Sequence, residues 1–282
     1  MKGDRERQGR WVFGVHPVIE VLRARPEQVG EVLLARRAAG RGQEIERLAR
    51  SAHIRVRHVT RRELDDLAEG LLHQGAAVSL SAGAGVAEAV CPDPGDHVEL
   101  LRAAERSGEE PLLLALDGIQ DPRNLGALVR SAHALGAHGV IAPRDRAAGM
   151  TPAAVKTSAG AAAHLPVLRV TNLARTLDDL KRAGLWVVGA EAAEESGQDG
   201  KAAPAQGPLT SELGRADLSG PIVLVVGAEG AGLRRLVRER CDRLIHIPMV
   251  GRIGSLNASV AGGILLYEVR RQRRAASSVS SG

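Results

Sequence analysis

From Pro111 onward, short apolar runs recur, most of them separated by helix-length spacers: LLLAL (112–116), GVIA (139–142), LPVL (165–168), LWVVGA (185–190), IVLVVG (222–227) and RLIHIP (243–248). That alternation restricts the fold more than any other feature. Strands this short and this apolar are buried on both faces. Helices between them require a mostly parallel sheet with its faces covered, an α/β fold. Aromatic residues make up only 1% of the chain and hydrophobic residues 44%, so Val, Leu, Ile and Ala must build the core. In such a sheet, ligands bind in the loops beyond the C-terminal ends of the strands.

The first 80 residues read as a separate, smaller α/β unit. In "VFGVHPVIEVL", Pro17 marks a helix start, with Val18, Val21 and Leu22 on one face. "EVLLA" (31–35), the alternating "IRVRHV" (54–59) and "AAVSL" (76–80) read as strands, and "GQEIERLARSAH" (42–53) as a helix. Thr60 and Glu63 form a capping box that opens a second helix. Residues 81–110 read as a linker, with small residues, then Pro92-Asp93-Pro94-Gly95, then a short helix in "HVELLRAAERS". The large domain spans 111–272. Within it, the small, polar, Gly/Pro-rich stretch 191–215 reads as a flexible surface insertion, and 273–282 as a disordered tail.

The net charge of +5 is unevenly placed: +4 over 1–80, −5 over 81–110 and +6 over 111–282. Two basic blocks around an acidic spacer suit a polyanion such as nucleic acid, although solvated surface arginines give the same count. No apolar run approaches the ~20 residues of a membrane helix. The charged N-terminus is not a signal peptide. Cys91 and Cys241 have no metal or redox spacing, so the expectation is a reduced, cytoplasmic protein without metal or membrane contact.

Three loops can carry chemistry. "LDGIQDPRNLGALVRSAHALG" (116–136) follows a strand, and Asp121-Pro122 marks a helix start. Asp121 and Asn124 are equally read as plain caps. Arg130 is harder to dismiss, because an arginine among Leu125, Leu128, Val129 and Ala132 calls for a partner. On an unbroken helix it lies about 240° around the axis from Asn124, so the two would do different jobs. "IVLVVGAEGAGL" (222–233) runs a buried strand into Gly227, Gly230 and Gly232, where a ligand can approach the backbone, with Glu229 among them. Its glycine order, G-x-x-G-x-G, is neither the dinucleotide fingerprint nor a phosphate loop. "GRIGSLNASVAGGILLYEV" (251–269) opens a helix with Ser255, Leu256 and Asn257. Gly262 and Gly263 cost this helix roughly 1 kcal/mol each relative to Ala, which points to a close approach by another element.

Taken in order, "DPRNLGALVRSA", "VVGAEGAGL" and "IPMVGRIGSLNASVAGGILLYE" resemble the three motifs of the SpoU (TrmH-like) family of RNA ribose 2′-O-methyltransferases, over about 111–270. "VFGVHPVIEVL" and "LLHQGAAVSL" resemble the N-terminal substrate-binding domain of its 23S ribosomal RNA guanosine 2′-O-methyltransferase subgroup, a domain similar to small ribosomal RNA-binding proteins. The 191–215 insertion is long for the family, and Ala228 stands where Ser is frequent. Neither is a position given a side-chain role. The resemblance implies a SPOUT-type parallel sheet with a C-terminal trefoil knot, which periodicity could never reveal. It also implies S-adenosylmethionine bound in the knot, a homodimer and no metal. By motif match, Gly227, Ile247, Met249 and Leu256 line the cofactor pocket, and Asn124, Arg130, Glu229, Ser255 and Asn257 are the catalytic side chains. Arg130 is a poor proton acceptor, since its free pKa lies above ~12. Binding the adjacent phosphate and stabilising a developing alkoxide suit it better. The implied substrate is a guanosine of 23S ribosomal RNA. The competing readings are a methyltransferase for transfer RNA or another ribosomal site, and a non-catalytic RNA-binding protein of ribosome assembly.

Overall fold

The structure is a computed structural model that describes residues 11–36, 41–70, 72–80, 91–192, 208–251 and 254–279. The expected linker over 81–90, the core of the insertion over 193–207 and the last three residues of the expected tail lie outside the described residues. The chain forms two compact units. One comprises the described residues up to Asp93 together with 125–130 and 149–164; the other holds the remainder.

In the first unit, β1 (Trp11–Phe13), α1 (Val15–Ala24), β2 (Val29–Ala35), α2 (Arg41–Ser51), β3 (Arg55–Val59), α3 (Arg61–Ala68) and β4 (Ala76–Leu80) follow in order. The sheet runs β1-β4-β2-β3, and only the β2–β3 pair is parallel. The capping box is present. Thr60 Oγ1 accepts from the Glu63 amide at 3.2 Å, and the Glu63 carboxylate accepts from the Thr60 amide at 2.6 Å. These bonds hold the Glu63 carboxyl below its usual range. His73 is buried, and its Nδ1 accepts from the Gly75 amide at 3.0 Å. That fixes the proton on Nε2, which donates to Asp65 at 2.8 Å. β1 was not read from the sequence, because three residues are too few for a periodicity.

The rest of the chain gives α4 (His97–Ser107), β5 (Leu112–Asp117), α5 (Pro122–Ala134), β6 (Gly139–Pro143), α6 (Pro152–Thr157), β7 (Val167–Val170), α7 (Leu173–Arg182) and β8 (Trp186–Glu191). It continues through β9 (Leu209–Glu212), β10 (Ile222–Gly227), α8 (Arg235–Arg238), β11 (Arg243–His246) and α9 (Ala258–Val279). The strands form a seven-stranded sheet, β7-β6-β5-β10-β8-β11-β9, in which every pairing is parallel. β5 and β10 pair along their whole length, from Leu112–Ile222 to Asp117–Gly227, and are buried almost throughout. All six apolar runs became strands.

Two expectations need correction. Residues 209–212 of the expected flexible insertion form edge strand β9 on β11, since the main-chain groups of an exposed β11 edge still require partners. The expected disordered tail is helical as far as Val279, because Arg273 and Gln272 anchor it: Arg273 donates to Glu110 O, Pro111 O and Gly220 O, and Gln272 to Ala216 O.

Tight helix packing in this fold falls at Gly126 on α5, where a Cβ would stand 2.3 Å from Ala154 O on α6. At Gly263 a Cβ would meet only Ser131 Oγ among the described residues, at an ordinary 3.7 Å, so among them that glycine is not a point of close approach.

His138 is wedged under β5. Its Nδ1 accepts from the Leu112 amide at 3.1 Å, and Nε2 faces Ser107 Oγ at 3.0 Å. Burial is the main cause of its lowered pKa. A lowered imidazole pKa in the folded state means a stabilising contribution that is present above the unfolded value of ~6.5 and is lost as pH falls through the folded one. Urea unfolding midpoints should therefore drop between pH 7.5 and 5.5, and His138→Gln should reduce the drop. An identical drop in the variant would show that other groups control it.

Candidate active site

All three sequence motifs end at the same edge of the sheet, beyond the C-terminal ends of β5, β10 and β11. The first supplies Asn124, in the first turn of α5, whose start is fixed by Pro122 and by the Asp121 carboxylate accepting from the Arg123 amide at 2.8 Å. The second supplies Glu229, at the tip of the loop leaving β10. The third supplies Asn257, immediately before α9. Hydrogen bonds join these three side chains. Asn124 Nδ2 donates to Glu229 Oε1 at 2.8 Å, and Asn257 Nδ2 donates to Asn124 Oδ1 at 3.1 Å and also to Glu229 Oε1. The Ala258 amide reaches the same oxygen at 3.4 Å.

Asn257 caps a helix and joins the cluster at once. Its Oδ1 accepts from the Ser259 amide at 2.9 Å and the Ser259 hydroxyl at 2.6 Å, which caps α9. With Oδ1 engaged, its amide hydrogens are turned toward Glu229 and Asn124.

The loop carrying Glu229 is rigid for local reasons. Ala228 and Gly232 exchange backbone hydrogen bonds at 3.1 and 2.9 Å. A Cβ on Gly227 would stand 2.3 Å from the Gly232 carbonyl, so no larger residue fits there. The loop is closed by a pair the sequence reading missed. Asp117, at the end of β5, has no exposed surface; it accepts from the Arg234 amide at 2.7 Å and from Arg234 Nε at 2.6 Å. The available signal was an aspartate ending a fully apolar strand, a position that demands a cationic partner.

Beside the cluster lies a cavity of about 500 Å³. Gly227, Ile247, Met249 and Leu256, the four residues matched to a cofactor pocket, all line it, together with Glu229 and Ser255. Ile245 and Leu265 add to its apolar wall. Glu191 lies on its rim, held by Arg238 through bonds of 2.6 and 3.2 Å; this pair was also missed. Arg130 differs from its expectation. Its apolar neighbours Leu125, Leu128, Val129 and Ala132 are buried on other faces of α5, while Arg130 is exposed and makes no hydrogen bond or ion pair among the described residues. No group of His, Cys, Asp and Glu able to hold a metal occurs among the described residues. Burial pushes the Cys91 and Cys241 thiols up to about 12, which makes both inert.

Comparison with known proteins identifies the pattern. The family model for the SpoU rRNA Methylase family matches residues 111–267, the span that contains every residue of this cluster and cavity. The chain belongs to that family. A second model, for the RNA 2′-O ribose methyltransferase substrate-binding domain, matches 11–82. This SpoU chain is 44% identical to the 23S rRNA (guanosine-2′-O-)-methyltransferase RlmB of Pseudomonas aeruginosa, across 93% of the chain and 96% of that protein. Among solved structures it is similar to the SpoU methyltransferase AviRb of Streptomyces viridochromogenes in complex with AdoMet, with 28% identity and a TM-score of 0.70 over 96% of the chain and 93% of AviRb. A TrmH/SpoU tRNA-modifying enzyme from A. aeolicus covers only 64% of the chain and 85% of its own, with 27% identity and a TM-score of 0.50. No helix among the described residues of this SpoU chain is long and apolar enough to cross a membrane.

Arg234→Met leaves the Asp117 charge buried and unpaired, which should cost about 3–5 kcal/mol, read as a fall in unfolding free energy. Asp117→Asn combined with Arg234→Met should recover most of that loss. A double variant no better than the single one would mean that the ion pair is not what holds the loop.

Proposed function

We propose that this chain transfers the methyl group of S-adenosylmethionine to the ribose 2′-hydroxyl of a guanosine in 23S ribosomal RNA, acting in the cytoplasm as a homodimer. The observation that carries this reading is the hydrogen-bonded joining of Asn124, Glu229 and Asn257 beside an apolar cavity. The cavity suits the cofactor. Its volume lies in the usual range for small-molecule sites, its walls are Ile, Met and Leu, and loop backbone groups lie within them for the edge of an adenine. Gly227, Ile247, Met249 and Leu256 would hold it, within the loops of a trefoil knot. The knot is supported by the strand order, in which the late strand β10 sits between β5 and β8.

When bound, S-adenosylmethionine supplies a methyl group made electrophilic by its sulfonium. The chain's own residues then orient the acceptor. Every hydrogen bond to the Glu229 carboxylate among the described residues goes to Oε1, which leaves Oε2 to accept from a ribose hydroxyl. Ser255, exposed on the cavity wall, and Asn257 fix the sugar edge. The exposed Arg130 guanidinium binds the adjacent phosphate and stabilises charge developing on the 2′-oxygen. Because the cluster is held before substrate arrives, positioning supplies much of the rate.

Ribosomal RNA is favoured over transfer RNA because similarity to the ribosomal enzyme runs through the N-terminal module, residues 11–82, whereas the tRNA-modifying neighbour covers less of the chain. The homodimer is supported by Val260 and Tyr267. They lie seven residues apart on one face of α9 and are 49% and 60% exposed, an apolar stripe suited to a second copy.

Labelled S-adenosylmethionine should deliver its methyl to unmodified 23S ribosomal RNA and not to transfer RNA, and nuclease mapping should place it on a guanosine 2′-oxygen. The reverse preference would replace ribosomal RNA with transfer RNA. Arg130→Lys should lower kcat/KM by roughly 100-fold or more, because an ammonium cannot reproduce the planar fork. Activity close to wild type would remove Arg130 from this role.

A further inference from the structure

Beyond the cofactor cavity, on the same edge of the sheet, lies a second hollow of about 590 Å³ over the C-terminal ends of β6 and β7. Arg146, Arg234 and Arg235 line it; the Arg234 guanidinium is already paired with buried Asp117, and Asp145 is the one carboxylate among the lining residues. Arg144 and Arg169 stand beside it and are tied to each other's backbones: Arg144 Nε donates to Arg169 O at 3.1 Å, and Arg169 donates to Arg144 O at 3.1 Å. Burial, and then the nearby Arg144 cation, draw Arg169 below the usual guanidinium range. Neither arginine is paired with a carboxylate in these bonds. Arg146 has no hydrogen bond or ion pair among the described residues, and it is held in the left-handed backbone region at φ 54°. Among the described residues Arg235 is paired only with Glu239, a surface pair 78% and 46% exposed, which a stronger anion can displace. An excess of cations held this close is unfavourable unless an anion joins them.

We infer that this hollow binds the backbone phosphates of the RNA strand that flanks the target nucleotide. The inference rests on the proposed RNA methyl transfer and extends it to where the strand runs. Two features favour RNA over an isolated phosphate ion. Leaving aside Arg234, which serves Asp117, the cations are spread over three segments, 144–146, 169 and 235, as successive phosphates require and a single ion does not. The position also fits. Asn124 and Glu229 follow β5 and β10, and the hollow lies about two strand spacings away, roughly 10 Å, within reach of a strand leaving the cluster. Planar guanidinium groups suit phosphate oxygens, and they carry no base specificity.

The test uses the full chain with the paired change Arg144→Gln and Arg146→Gln, both exposed positions. With unmodified 23S ribosomal RNA, KM for the RNA should rise about tenfold. The slope of log affinity against log salt should become shallower by about 0.7 for each phosphate of a single strand that the variant no longer neutralises. The dissociation constant of S-adenosylmethionine should not move, and Arg146→Lys should restore most of the slope. An unchanged RNA KM and salt slope overturns the inference. So does an effect confined to sedimentation mass, which would make the patch a protein-binding surface, or an equal effect from competing inorganic phosphate at wild-type and variant sites. If the wild-type chain methylates no RNA, the functional reading fails instead, and filter binding of the same RNA to wild type and variant still decides the phosphate track.

Discussion

A carboxylate with no access to solvent sits at the end of β5, beside the central strand β10. Asp117 cannot hold its charge there alone, since desolvating an unpaired carboxylate costs several kcal/mol or more. Arg234 answers it twice, through its backbone amide and its guanidinium. The chain that leaves β10 at Gly227 must therefore be back against β5 by Arg234. That short span leaves room only for a tight loop, which is why Gly227 faces the Gly232 carbonyl and Ala228 pairs with Gly232. Glu229 stands at the tip of this loop. Its reach to Asn124 and Asn257 follows from where the loop is tied down.

The site divides into a buried frame and an exposed working surface. Asp117 and the apolar strands β5 and β10 belong to the frame and are closed to solvent. Glu229, Ser255 and Asn257 are exposed. Side chains that must act on a large polyanion have to be open to it. Hydrogen bonds among Asn124, Glu229 and Asn257 preserve the orientation of those three side chains. Asn257 meets both demands with one amide, its oxygen serving the helix and its nitrogen serving Glu229.

Much of this was legible before any coordinates. The apolar runs named their strands because burial on both faces leaves a composition that little else produces. Asp121-Pro122 and the Thr60–Glu63 box announced their helix starts through local chemistry. The N-terminal strand β1 and edge strand β9 were not legible, because each is short and takes its stability from a neighbour rather than from its own pattern. The helical end of α9 was hidden for a related reason. Its Arg and Ser residues carry no apolar signal, and its order comes from carbonyls at Glu110, Pro111, Ala216 and Gly220. Gly263 pointed to a close packing that is found instead at Gly126.

By itself the sequence determined the kinds of element and the kinds of side chain: a parallel α/β core, a basic surface, and polar residues at the starts of helices and in a glycine loop. These follow from period, composition and local capping, which act over a few residues. Tertiary structure alone decided that Asn124, Glu229 and Asn257, up to 133 residues apart, share hydrogen bonds. It also decided that Asp117 finds Arg234 across 117 residues. Only strand order sets which loops emerge side by side, and strand order is fixed by the packing of the whole sheet rather than by any stretch within it.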